Sequence, residues 1–168
     1  AAVEWMHSLG VRLINSSLGY TNGFDDPQEN YKPEDINGSF ATITKFTEMA
    51  IQEKGMSIIV SAGNDGNDDF QIISIPADAK GAISVGSSGF RYWNKLGYSS
   101  IGPAHMEAVK PEVSCFAAGG TSFAAPIITS LVACLKELKP EITNDVLLDV
   151  LSISSHLYPY PNNFLGYG

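Results

Sequence analysis

The chain is short of several things, and each shortage removes a class of explanation. Cysteine occurs twice, at Cys115 and Cys134; two unpatterned cysteines make neither a disulfide framework nor a zinc site. Apolar residues flank both, so buried free thiols are expected. There are 10 Lys or Arg against 18 Asp or Glu, a net charge of −8, and no basic cluster anywhere. A nucleic-acid partner needs cations gathered against phosphate, so none is expected. Uninterrupted apolar stretches such as Ile58 to Val60 and Leu131 to Leu135 are far too short to cross a bilayer, and no membrane span is expected. No initiator methionine or signal peptide opens the sequence, which starts inside a helical pattern. The expectation is a fragment or processed piece of a longer protein.

What is present describes one globular domain. Hydrophobic residues make up 44% of 168, enough for a real core. Ala1 to Leu9 reads as a helix closed by Gly10, and Val11 to Ser16 as a short strand. Tyr20 to Gly38 is a polar surface loop. Ser39 is placed to cap a helix with Phe40, Ile43, Phe46, Ala50 and Ile51 on one face, ending at Gly55. Met56 to Ala62 and Ala82 to Ser87 read as strands buried on both faces. Thr121 to Lys139 is a helix halted by Pro140; Thr143 to Ile153 is another, with Val146, Leu147, Val150 and Leu151 inward. Helices alternating with short buried strands predict an α/β domain with a mostly parallel sheet.

In such sheets functional groups gather at the carboxyl ends of strands. Three stretches fit that position. The most informative is Gly119-Gly120-Thr121-Ser122, which opens the long helix. A helix head presents unpaired N–H groups and a partial positive charge. Ser122 there is either a plain capping serine or a hydroxyl whose own N–H faces any oxyanion forming beside it. Asn64, at the end of Ser61-Ala62-Gly63-Asn64, is either ordinary turn chemistry or an amide donor aimed into a cleft. Ser17-Leu18-Gly19 is a strand end that can offer its backbone edge to an extended peptide.

Taken together, "INSSLGY", "GMSIIVSAGNDG", "IPADAKGAISVGS", "YSSIGP", "VKPEVS" and "GTSFAAP" resemble the subtilisin-like serine proteases, the subtilases of peptidase family S8, in order and context. The resemblance runs from Val11 to Gly168. It implies a three-layer α/β fold with a mostly parallel sheet, incomplete in this chain, so that residues 1–168 form part of a catalytic domain. It also implies a serine endopeptidase working through an acyl-enzyme on Ser122, with Asn64 and the Ser122 N–H as oxyanion donors. By the same resemblance Ser17, Leu18 and Gly19 pair with the substrate backbone, and Ser61, Ala62 and Gly63 wall the primary specificity pocket. Ile75-Pro76 matches a position that often holds a cis peptide bond. The implied partner is a polypeptide and the implied setting is secreted or extracytoplasmic. No cofactor is needed, and no metal is assigned to the acidic loop of Asp25, Asp26, Glu29, Glu34 and Asp35.

Two departures accompany the likeness. The family's Asp-Ser/Thr-Gly and His-Gly-Thr motifs, which precede the serine in chain order, do not occur. His7, His105 and His156 stand in other contexts and are expected to be structural or surface residues. The connection between Lys110-Pro111-Glu112 and Gly120 is also shorter than the family's. A serine without a base is a poor nucleophile, so this chain by itself is expected to be inactive or nearly so, its Asp and His supplied by an upstream segment. The alternative is a catalytically dead scaffold or peptide-binding module. A nucleotide-binding α/β protein fails on spacing, because no Gly-x-Gly-x-x-Gly or phosphate-binding loop follows a strand.

Overall fold

A computed structural model describes residues 2–168. Four strands, β1 (Leu13–Ser16), β2 (Ser57–Ser61), β3 (Ile83–Ser88) and β4 (Val113–Phe116), form one parallel sheet in that order. Ile14 lies opposite Ile58, Val60 opposite Ser84, and Val85 opposite Val113. The helices are α1 (Ala2–Ser8), α2 (Thr42–Lys54), α3 (Thr121–Leu138) and α4 (Asn144–Ser154).

The period-two alternation of β2 builds the layers. Ile58, Val60 and Ala62 enter a core with Ala50 and Ile51 of α2 and with Ile73 and Ile75. Ile59 enters the other core, with Val85 and Val113, beneath Ala124, Ala125, Ile128 and Val132 of α3 and Leu147 and Leu151 of α4. All five β2 residues are therefore buried, which explains a strand with no polar alternation. Each buried Ile or Val contributes about 1.5–3 kcal/mol relative to exposure. Wholly buried Ala124 and Ala125 let α3 lie close on the sheet. The result is the expected three-layer α/β arrangement. The Ile75–Pro76 bond is cis, as are Lys110–Pro111 and Tyr158–Pro159.

Several sequence expectations need correction. The α2 helix starts at Thr42, not after a Ser39 cap: the Asn37 side chain accepts from the N–H groups of Ser39 and Phe40, holding that segment in a turn. Its buried face is Thr44, Thr47, Ala50 and Ile51, while Phe40, Ile43 and Phe46 are exposed. Thr44 is drawn inward by Asp78, whose carboxylate accepts its hydroxyl at 2.7 Å. Ile43 and Phe46 instead line a groove of about 430 Å³ against α1. In α4, Leu147 and Leu151 are buried but Val146 and Val150 are not, because only one stripe of the helix meets the sheet. Cys134 is exposed and Cys115 half-buried; both thiols are free. Strand β4 was not anticipated from four residues reading VSCF. By length and composition α3 is apolar enough to span a membrane; here it packs across the sheet. Ala1, where the first helix was expected to begin, lies outside the described residues.

Candidate active site

The head of α3 is shaped by two glycines. Gly119 has φ +92° and Gly120, the N-cap, φ +147°, backbone conformations that side chains rarely tolerate. They turn the chain sharply from β4 into the helix. The connection is only Ala117 to Gly120, and the Tyr98 hydroxyl anchors it by donating to the Ala117 carbonyl at 2.5 Å. Ser122 becomes the second helical residue, half-buried, with no partner for its hydroxyl or its N–H among the described residues. That N–H is one of the donors every helix leaves unpaired at its head.

Thr121 ties this helix to the end of β2. Its N–H donates to Asn64 Oδ1 at 2.9 Å, and its hydroxyl lies 3.1 Å from the same oxygen. The hydroxyl also accepts from the Gly63 N–H at 3.1 Å and sits 3.2 Å from the Gly63 carbonyl. Thr121 is wholly buried, so these bonds are made away from water. They orient the Asn64 side chain: an acceptor must face the Thr121 N–H, which identifies the oxygen and leaves Nδ2 as the free end. Nδ2 has no partner among the described residues.

A cavity of about 250 Å³ opens at this point. Ser122 and Asn64 line it together with Ser17 and Gly19 from the loop after β1, and Ser61 and Gly63 from the end of β2. Six of the eight expected site residues thus share one space. The other two do not line it: Leu18 is 61% exposed, and Ala62 is fully buried in the core on the α2 side. Neither Leu18 nor Gly19 has a backbone hydrogen bond among the described residues, so their edge is open.

Three further lining residues, Thr21, Asp65 and Ser74, were missed in the sequence. Asp65 sits in an Asn-Asp-Gly that reads as a turn, and Ser74 alternates between Ile73 and Ile75 as a strand residue would. Only folding brings Ser74 between the two glycines. A Cβ on Gly19 would collide with its hydroxyl, and one on Gly63 would come within 2.9 Å. Burial and the neighbouring Asp68 carboxylate raise the Asp65 pKa, partly offset by a hydrogen bond with the Thr21 side chain.

None of the three histidines lines this cavity. His7 lies in α1, the His105 ring is 2.9 Å from the Ile36 carbonyl, and His156 packs against Trp93 with centroids 4.7 Å apart and the rings tilted by 49°. The chemistry on hand among the described residues is therefore a serine hydroxyl, an asparagine amide and a helix-head N–H around one cavity, with an open backbone edge and no histidine in the lining.

Comparison with known proteins agrees with this architecture. Subtilisin DY of Bacillus licheniformis is 25% identical over 162 residues, 90% of this chain and 52% of the relative. The chain thus spans about half the length of that relative. Among solved structures, the Clostridium perfringens CspB protease superposes with a TM-score of 0.77 at 16% identity, covering 98% of this chain and 66% of that one. MycP1 from Mycobacterium smegmatis gives 0.72 at 19% identity, over 99% and 50%. At such identities these likenesses speak to fold. The model of the subtilase family, Peptidase_S8, matches residues 1–168, and with the serine and asparagine motifs converging on one cavity the chain belongs to that family.

Proposed function

We propose that the complete protein is a serine endopeptidase of the subtilisin type, and that Ser122 is its acylating nucleophile. One observation carries the reading: Thr121 holds the Asn64 oxygen and leaves its Nδ2 free on the same cavity as the Ser122 hydroxyl. A peptide carbonyl seated there receives Ser122 Oγ at its carbon. The π electrons pass to its oxygen, which Asn64 Nδ2 and the Ser122 N–H stabilise. Collapse of the adduct expels the amine, which takes up the proton Ser122 gave to the base; water then attacks the acyl carbon, the carboxylic acid leaves, and Ser122 Oγ recovers a proton. Leu18 and Gly19 supply the edge on which an extended substrate lies, with Ser17 beside them and the Ser61-Ala62-Gly63 segment walling the pocket. Action outside the cytoplasm fits this family reading.

The base that takes the Ser122 proton is not His7, His105 or His156, and the sequence holds neither His-Gly-Thr nor Asp-Ser/Thr-Gly. We therefore assign the histidine and aspartate to residues outside these 168. The chain on its own is then inactive or nearly so. A fluorophosphonate probe tests both parts. It should label the complete protein stoichiometrically, with loss of labelling in Ser122→Ala, and label the 168-residue chain barely at all. Strong labelling of the chain alone overturns the claim of inactivity; an unlabelled complete protein favours the dead-scaffold alternative.

A further inference from the structure

We propose that the cavity beside Ser122 takes a lysine or arginine side chain of the substrate, at the residue on the acyl side of the bond to be cut, with the Asp65 carboxylate as its ionic partner. The orientation of the peptide rests on the protease reading above; the preference rests on the lining alone.

No lining residue carries an aliphatic or aromatic side chain. Ser17, Thr21, Ser61 and Ser74 contribute hydroxyls, Asn64 an amide and Asp65 the only charge. Ser17, Ser74 and Thr21 already have partners within the protein. A leucine or phenylalanine entering this space therefore costs chiefly the dehydration of the Asp65 carboxylate with no cation to pair it, more than the roughly 1–3 kcal/mol of a neutral polar group. A glutamate would meet Asp65 with no cation to offset it, since no Lys, Arg or His lines the cavity. An alanine leaves most of the space empty: at roughly 30 Å³ per molecule in liquid water, the cavity of about 250 Å³ holds several waters beyond a methyl group.

A long cationic side chain meets every condition. Its methylene stem lies along the backbone of the two segments that flank the cavity, with the Ser74 hydroxyl at the inner end between Gly19 and Gly63, and its head reaches the Asp65 carboxylate. Asp65 is available for that pairing. It has no ion-pair partner among the described residues, and the neighbours acting on it are another carboxylate, Asp68, and the Thr21 hydroxyl. Its N–H is bonded to the Ser100 hydroxyl at 3.0 Å, which fixes the backbone from which the carboxylate projects.

The test is binding rather than turnover. Peptides identical except for a C-terminal Arg, Lys, norleucine, Glu or Ala are titrated into the full chain at pH 8, following the amide resonances of Gly19, Gly63 and Asn64. Arg and Lys should bind up to about fivefold tighter than norleucine, the scale of one solvent-accessible charge pair. The advantage should shrink at high salt, a readout that needs no variant. It should vanish in Asp65→Asn and persist in Asp65→Glu. Norleucine binding as tightly as Arg, an Arg advantage unchanged by Asp65→Asn, or no peptide moving these amides each overturns the proposal. Fluorophosphonate labelling of the complete protein reports the protease reading separately. Labelling with an apolar preference sinks only the specificity; an Arg preference without labelling sinks only the chemistry.

Discussion

The Ser17 hydroxyl donates to the carbonyl of Ser122 at 3.0 Å, across 105 positions of sequence. That carbonyl is the one a helical N–H at position 126 would have taken, and position 126 is proline, which has none. Asn15 supports the arrangement by donating its Nδ2 to the Ser17 hydroxyl at 2.9 Å, and the Thr129 hydroxyl stands 3.0 Å from the Asn15 oxygen. The loop after β1 is thereby fastened to the first turn of α3, and the two sides of the cavity are held in register.

Ser17→Ala should leave the Ser122 carbonyl without a donor and lower stability by about 1–2 kcal/mol. In a Pro126→Ala background, where the helix regains its own N–H, the same change should cost measurably less. Urea denaturation of the four variants reads the coupling directly. Equal losses in both backgrounds would show that the hydroxyl does not stand in for the missing helical bond.

On the proposed mechanism, Asn64→Ala should lower kcat of the complete protein by roughly 10²–10³ with little change in KM, a magnitude known from removal of the oxyanion-hole amide of subtilisin. Steady-state kinetics on a peptide amide checks it. A loss confined to KM would mean that the amide binds substrate and does not stabilise the oxyanion.

Thr121→Val keeps the shape and removes the hydroxyl that joins Gly63 and Asn64. Because Thr121 is wholly buried, the Gly63 N–H is left unpaired away from water, at a cost of about 1–3 kcal/mol. Denaturation midpoints report the loss. Hydrogen exchange at the Gly63 amide should accelerate at the same time, and an unchanged rate would refute the assigned role.

Lys110 is 1% exposed, donates to the Ala79 and Ala82 carbonyls, and pairs with Glu112 at 2.5 Å. Glu112 in turn accepts from the Ser84 N–H and hydroxyl of β3. Lys110→Met removes one partner of a buried pair and should destabilise by about 3–5 kcal/mol. Thermal melts of the single variant and of Lys110→Met with Glu112→Gln separate pair loss from packing, the double variant recovering part of the deficit.

The two thiols should differ in reactivity. Burial pushes the Cys115 thiol up to about 11, and its Sγ lies 3.4 Å from the Ala124 carbonyl, whereas Cys134 is exposed. The thiolate is the reactive form, so below pH 9 Cys115 should alkylate about a hundredfold more slowly than an ordinary thiol, its rate climbing until the pH passes 11. Iodoacetamide with peptide mapping distinguishes the two sites; equal rates at pH 8 would contradict the burial.

How far the sequence reached depends on whether the signal was local. The head of α3 is written in Gly119, Gly120 and Ser122, because helix heads and glycine turns are short-range physics. The β2 strand is legible in SIIVS for the same reason. The buried face of α2 was not, since Phe40, Ile43 and Phe46 look as apolar as any core stripe, and only the position of Asp78 shows why Thr44 turns inward instead. Strand β4 was invisible because its four residues become a strand only beside β3.

The sequence by itself determined the family, the helix-head serine, the asparagine two loops away and the absence of a histidine in catalytic context. Tertiary structure alone decided that Asn64 offers its nitrogen and not its oxygen, that Ser17 completes the hydrogen bonding Pro126 interrupts, and that Asp65 and Ser74 enter the cavity. The reason is physical. Residue type sets which bonds a group can make, but which bonds it does make depends on partners as many as 114 residues distant, and the chain must close before those partners meet.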